Sequence, residues 1–269
     1  MISPGELTLR VVADQAGRTR TAVVQQRYPQ RMTTPLYCDE QFPDAAVVCV
    51  QSPSGGTFSD DDLQTVVEAG TRTHLRLTTQ AATQVFAGTG AGAGHRLSFA
   101  VGPGAVVEYL PKSMIPHSDS RYTQMLDVEL DTEGCYLGWE ALAAGRLGHG
   151  ERFRFHTYDS TVRVGVTGRT VARDRLLLER PSAARLIDAD YLATLLVVAP
   201  AAGCSALLTE LRGLITGFPA DMRCGASELP VAAGVLVRIT TDSAPDLARV
   251  QAVLLETTRH FLLKRSLSL

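Results

Sequence analysis

Few residues in this chain have the types and spacing for chemistry. His117-Ser118-Asp119 and His149-Gly150-Glu151 each set a histidine two positions from a carboxylate, a spacing that places both side chains on one face of a strand. Two donors do not fix a metal ion, and neither an HEXXH nor a paired-cysteine spacing occurs. An enzyme of unrecognised mechanism on a β-rich fold would be built around His117, Asp119, His149 and Glu151; hydrogen-bonded surface histidines are the simpler account. His156, in the run Phe153-Arg154-Phe155-His156, reads as an outward polar residue. Gly203-Cys204-Ser205-Ala206-Leu207 has one glycine of a nucleophile elbow and lacks the second. Cys38, Cys49, Cys135, Cys204 and Cys224 are never closer than eleven residues. Without a CxxC pair they read as small buried apolar side chains in a reducing compartment.

The tract Gly88-Thr89-Gly90-Ala91-Gly92-Ala93-Gly94 nearly satisfies a dinucleotide-binding pattern, with Glu108 twenty residues after Gly88. That motif holds a pyrophosphate only where a helix N-terminus follows. Here the strand-like His95–Val101 follows and then Gly102-Pro103-Gly104, so the tract reads as a flexible hairpin loop. No GxxxxGK[ST] occurs, which excludes a P-loop.

Composition narrows the classes further. The 269 residues are 45% hydrophobic and 20% charged with a net charge of −2, the balance of a globular chain without the basic field that nucleic acid requires. Of the 26 basic residues only Lys112 and Lys264 are lysine. The longest apolar stretch, Leu192–Ala202, is interrupted by Pro200 and falls short of the ~20 residues that span a bilayer. Met1-Ile2-Ser3-Pro4-Gly5-Glu6 lacks a basic patch followed by an apolar run, so the expectation is a cytoplasmic protein without a signal peptide.

The elements that position these residues are mostly strands. Short β-branched or alternating runs recur at Glu6–Val12, Thr19–Gln25, Ala45–Gln51, Leu63–Glu68, His74–Thr79, Arg96–Val101, Val106–Leu110, Tyr122–Leu130, Tyr136–Leu142, Arg152–Tyr158 and Thr161–Thr167. Turn signals separate them and no helical period lies between, which predicts antiparallel or coiled sheet layers, not βαβ units. No internal sequence repeat is evident. Tyr191–Val198 reads as a buried strand, Ser205–Thr216 as an amphipathic helix, and Val231–Thr240 as a strand. A last helix starts from Ser243 as N-cap, with Pro245 and Asp246 in its first turn and Leu247, Val250, Leu254 and Phe261 in an apolar stripe. The predicted fold is mainly β (α+β): a layered β-strand body over 1–190 and a C-terminal βαββα-like portion over 191–269, in one continuous domain with two C-terminal α-helices packed on the body.

Four blocks carry a resemblance. Ser52-Pro53-Ser54-Gly55-Gly56-Thr57-Phe58-Ser59-Asp60-Asp61-Asp62-Leu63 resembles the P-[ST]-G-G…D-x-L turn of the urease accessory protein UreD/UreH family. Leu77-Thr78-Thr79-Gln80-Ala81-Ala82-Thr83 is similar to its L-T-T-Q-A-A-[ST] block. Glu108-Tyr109-Leu110-Pro111 is similar to its E-[WY]-L-P block, and Gly145-Arg146 followed by Gly150-Glu151-x-Phe153 to its G-R…G-E-x-F block. They occur in family order across residues 52–153. Two positions depart: Asp60-Asp61 stands where the family has Gly-Asp, and Gln84 stands where a basic residue is common.

The resemblance implies a non-enzymatic scaffold in urease maturation that docks the urease apoprotein, binds UreF, and through it meets the nickel-carrying GTPase UreG. It implies no permanently bound cofactor and a nickel ion in transit through the interior. A conduit needs weakly binding oxygen ligands, because a tight site traps the ion. Asp61, Thr78, Thr79, Gln80, Glu140 and Glu151 are the nickel-path candidates. Leu211, Val250, Leu254 and Phe261 are the partner-interface candidates, since an amphipathic face left uncovered would expose an apolar patch. A binding module for another partner is the remaining alternative.

Overall fold

The computed structural model describes residues 5–266, with side chains described for 5–263; Met1–Pro4, on which the N-terminal reading depends, lie outside them. The chain opens with β1 (Gly5–Ala13), β2 (Thr19–Gln26), β3 (Arg31–Met32), β4 (Ala46–Gln51), β5 (Gly56–Thr57) and β6 (Asp62–Ala69). It continues through β7 (His74–Thr79), β8 (Thr83–Val85), β9 (Ala93–Val101), β10 (Val106–Leu110), β11 (Met114–Pro116), β12 (Arg121–Leu130) and β13 (Cys135–Ala143). Next come β14 (Thr157–Val166), β15 (Arg169–Glu179), the single-turn α1 (Ala183–Leu186) and β16 (Tyr191–Val198). α2 (Ser205–Ile215), β17 (Arg223–Glu228), β18 (Gly234–Thr241) and α3 (Ala244–Ser266) complete it.

From β4 to β14 the chain passes back and forth between two sheets. The first has seven strands in the order β15-β14-β12-β9-β6-β1-β2; the second runs β17-β18-β16-β13-β10-β7-β4-β3, with β5, β8 and β11 attached beside it. Within the first, β6, β9, β12 and β14 pair in parallel; within the second, β4, β7, β10 and β13 do. The chain therefore winds through four coils of a β-solenoid, each contributing one strand to each sheet. Of the two layouts the strand spacing allows, the coil is the one adopted. It is a structural repeat without a sequence repeat, because a coil requires only that inward positions be apolar and in register.

Register stacks those positions into rows. Leu9, Val67, Phe99, Val128 and Val164 line up across the first sheet, and Ala46, Leu75, Val107, Tyr136 and Val198 across the second. All ten sit in one buried cluster between the sheets. The opposite face of the second sheet, with Leu137, Trp139, Leu195 and Val237, is covered by α2 and α3 through Leu207, Leu211, Val250 and Leu254. Ser243 Oγ accepts from the Asp246 N–H at 3.3 Å, so the N-cap read from the sequence starts the last helix.

Several local expectations change. Arg152–His156 is irregular and the strand begins at Thr157. Phe153 has a φ of 53° and its N–H donates to the Ala144 carbonyl at 2.6 Å, so tertiary hydrogen bonds override the alternation there. The glycine tract joins β8 of one sheet to β9 of the other and is not a hairpin. Asp60 pins it, its N–H donating to Gly92 O and its Oδ1 accepting from the Ala91 N–H, both at 3.1 Å. All five cysteines are free; Cys204 is buried but Cys38 is exposed, so the uniformly buried reading does not hold. Among the described residues no helix is long and apolar enough to cross a membrane.

Candidate functional site

Toward one end of the solenoid the inward rows stop being apolar. Along β9, β12 and β14 the inward positions nearest that end are His95, Tyr122 with Gln124, and Tyr158 with Ser160. From the facing sheet come Thr79, Tyr109 and Glu140. Most of these border a cavity of about 470 Å³ that opens to solvent beside Gln80, Lys112 and Pro53. The two sheets hold this space open because they are locked together by the apolar rows further along the same strands.

Glu140, on β13, is the carboxylate among the cavity's lining residues. Gln124 Nε2 donates to its Oε1 at 2.5 Å and is also 3.3 Å from Ser160 Oγ, while Tyr122 OH donates to Gln124 Oε1 at 3.1 Å. Burial raises the Glu140 carboxyl to about 7 in spite of the Gln124 hydrogen bond, and the nearby Asp174 carboxylate adds to the rise. Arg238, which lines a smaller recess on the far side of Glu140, is committed to Asp174 through contacts of 2.7 and 2.8 Å. Burial also raises the phenols of Tyr109, Tyr122 and Tyr158. The wall at neutral pH therefore presents neutral phenol, hydroxyl and amide groups beside one poised carboxyl.

The folded chain keeps Glu140 protonated up to about pH 7, whereas the unfolded chain ionises it near 4.5. Stability from this group is therefore complete below the unfolded value and declines as pH rises through the folded one. Glu140→Gln, which keeps an acceptor for Gln124, should raise the unfolding free energy by up to about 3 kcal/mol near pH 8 and change it little near pH 4. Urea titrations at the two pH values check this; an equal effect at both contradicts it.

The six path candidates separate. Thr79, Gln80 and Glu140 line the cavity. Thr78 lies on the opposite face of β7, where its Oγ1 donates to Leu110 O at 2.8 Å. Asp61 closes the turn after β5, its Oδ2 accepting from the Phe58 N–H at 2.7 Å and from Thr57 Oγ1 at 3.2 Å. Glu151 is held by Arg146, Nε to Oε2 at 2.8 Å with a second bond from Nη2 to Oε1, and it accepts from the Ser118 N–H. The Arg146 hydrogen bonds lower its carboxyl to about 2. Asp61 and Glu151 thus act as turn and loop anchors away from the cavity.

The partner-interface candidates are placed differently from the expectation. Leu211 and Leu254 are fully buried and Val250 is 5% exposed; together with the half-buried Phe261 they pack in the cluster between the helices and the second sheet. The chain covers its own apolar stripe, so a partner cannot touch these three buried side chains while α2 and α3 stay docked. Of the histidine–carboxylate set, Glu151 and His149 lie within electrostatic reach of His117, but among the described residues none of the four bonds another's side chain. His117 Nε2 is 2.7 Å from Gln84 Oε1, Asp119 accepts from Arg180 at 2.8 Å, and His149 is exposed. Among the described residues no three His, Cys, Asp or Glu side chains are grouped to hold a metal.

A family model described as UreD urease accessory protein matches residues 3–269. The chain belongs to the UreD urease accessory protein family. It is 56% identical over 264 residues to the urease accessory protein UreD of Mycolicibacterium gilvum (strain PYR-GCK), covering 97% of this chain and 96% of the relative. The UreD of Haloarcula marismortui is 33% identical over 76% of this chain and 70% of its own length. A UreD 2 of Streptomyces griseus subsp. griseus is 28% identical over 94% and 88%.

The UreD-like blocks acquire separate physical roles. In Glu108-Tyr109 the strand alternation sends Tyr109 into the cavity and Glu108 to the opposite face, beneath the helices. There Glu108, fully buried, meets His74 Nε2 at 2.6 Å, Arg76 Nε at 3.2 Å and Arg259 Nε at 3.2 Å. Asp39 accepts from Arg76 Nη2 at 2.8 Å and pairs with Arg259 as well. Arg259, on α3, also lies 4.8 Å from the centre of the Phe42 ring. Sequence reasoning missed this cluster, and it missed His95, Tyr122, Gln124 and Tyr158 in the cavity. For the cavity a signal existed: polar and phenolic side chains at positions whose period-2 pattern assigns them inside.

Proposed function

We propose that this chain is a non-catalytic scaffold of urease maturation, working in the cytoplasm in complex with UreF, the GTPase UreG and the urease apoprotein to insert nickel. Membership of the UreD family along nearly its whole length carries this reading. The cavity supports it chemically. Hydroxyl, amide and a single carboxyl group offer a divalent cation weak oxygen ligation that admits it and releases it. Thr79, Gln80 and Glu140 are the side chains we assign to that passage; nickel is cargo here, not a resident cofactor.

Deleting the gene should leave urease polypeptides present at normal amount but poorly metallated, and restoring the gene should return the nickel. Metal analysis of urease purified from the deletion strain decides the matter, together with capture of UreF, UreG and apo-urease on the tagged chain. Normal nickel content without the gene, or turnover of a substrate by the isolated chain, would overturn the proposal.

A further inference from the structure

His95 lines the cavity, and hydrogen bonding fixes which of its ring nitrogens carries a proton. Gln30, 4% exposed, sets the direction of these bonds. Its Nε2 donates to the carbonyls of Gly5 and Gln64, each at 2.8 Å. Both amide protons are thereby used, and Oε1 is left as an acceptor. Thr65 Oγ1 supplies its single proton to that oxygen at 2.8 Å. At 2.9 Å from the same hydroxyl lies His95 Nε2. With the hydroxyl proton already given away, the contact requires Nε2–H to be the donor. A neutral imidazole has one N–H, so His95 Nδ1 carries a bare lone pair.

That nitrogen is not among the buried unpaired polar atoms of the described residues, so it is not sealed off from solvent. It makes no hydrogen bond to a described residue, and the buried unpaired side-chain polar atoms are Ser59 Oγ and Thr258 Oγ1. His95 itself borders the cavity. Its neighbour in register on β12 is Gln124, whose amide reaches Glu140. The two facing walls therefore carry a neutral nitrogen donor and a carboxyl, one on either side of the same glutamine.

We propose that His95 Nδ1 is an inner-sphere ligand for a divalent transition-metal cation of borderline softness in this cavity, with Glu140 as the accompanying oxygen ligand. This rests on the reading of the cavity as a cation passage and adds selectivity to it. An imidazole nitrogen favours nickel, cobalt, copper or zinc, whereas magnesium and calcium prefer all-oxygen sites. Two protein ligands, with water in the remaining positions, bind loosely enough for exchange, which suits a waypoint and not a store.

The test uses the full chain labelled with 15N-histidine. Two-bond proton–nitrogen correlation should show His95 with Nδ1 unprotonated and Nε2 protonated. Adding nickel chloride should broaden the His95 signals before those of exposed His149, His156 and His260, and the same concentration of magnesium chloride should leave them sharp. His95→Gln, which keeps a donor for Thr65, should lower nickel affinity at least several-fold in equilibrium dialysis. A protonated Nδ1, or nickel that broadens the exposed histidines while His95 stays sharp, overturns the proposal. Failure of the passage reading looks different: nickel would bind at His95 while urease nickel content in the deletion strain stayed normal.

Discussion

Arg259→Ala should cost about 3–5 kcal/mol of stability, the range for removing one partner from a buried ion-pair network. Arg259 is 12% exposed in its side chain, against 6% for Asp39 and 1% for Glu108, so solvent cannot take over its role. Burial pushes the Glu108 carboxyl up, but the His74 hydrogen bond and the charges of Arg76, His74 and Arg259 outweigh it and leave it below its ordinary value. Asp39 follows the same balance, burial against Arg259 and Arg76. Both carboxyls are thus lowered on folding. The stability they contribute is present above their unfolded values and disappears as pH falls through the folded ones. Without Arg259 both shifts shrink, so the acid transition of the variant should begin at a higher pH than that of the native chain.

This residue also decides whether the last helix stays on the sheet. Arg259 sits on α3 while its partners lie on β10 and in the loop before β4, where His74 and Arg76 of β7 meet the same carboxylates, so the network joins the C-terminal helix to the coils. Arg259→Lys should recover only part of the loss, since an ammonium cannot bridge two carboxylates as a planar fork does. Urea unfolding at neutral pH and an acid titration followed by circular dichroism would measure both variants. A loss below about 1 kcal/mol for Arg259→Ala, the scale of an exposed pair, would contradict the account.

Gly145→Ala should destabilise the chain by about 3 kcal/mol or more, since it combines a disfavoured backbone conformation with a clash against main chain. Gly145 has a φ of 138°, a region that L side chains rarely adopt, and a Cβ there would sit closer to the Glu151 carbonyl oxygen than any non-bonded contact allows. The obstacle is backbone, so no rotamer change relieves it. Moving Glu151 would also release its bonds to Arg146 and the Ser118 N–H. Gly148→Ala, three residues on and with nothing within 4 Å of its Cβ position, is the matched control. It should change stability by less than about 0.5 kcal/mol, as surface substitutions do. Thermal unfolding of the pair tests this, and equal effects would refute it. The family block around Gly145 and Glu151 is on this account a clasp between β13 and β14.

Where the local pattern suffices, the sequence reading and the structure agree closely. The strands His74–Thr79, Val106–Leu110 and Tyr191–Val198 have the boundaries that alternation and flanking turns assign, and the α2 helix ends one residue earlier than read. Arg169–Glu179 was not legible as a strand. Its half-exposed Leu176 and exposed Leu177 and its arginines, Arg169, Arg173 and Arg175, reflect an edge strand facing water with only Val171, Ala172 and Leu178 buried. Short β3, β5, β8 and β11 carry too few residues for any period to register.

The sequence by itself determined the β-rich class, the helices with their N-cap, and the family through four blocks in order, because each is written in neighbouring residues. Only the tertiary structure decided the parallel coiling, since strands that pair lie about one coil apart and register is not a local property. It likewise decided that Thr79, Gln80 and Glu140 share a cavity while Asp61, Thr78 and Glu151 do not. The apolar stripe of α3 shows the reason most plainly. Amphipathy states which side of a helix avoids water, but what covers that side depends on how the rest of the chain is placed in space.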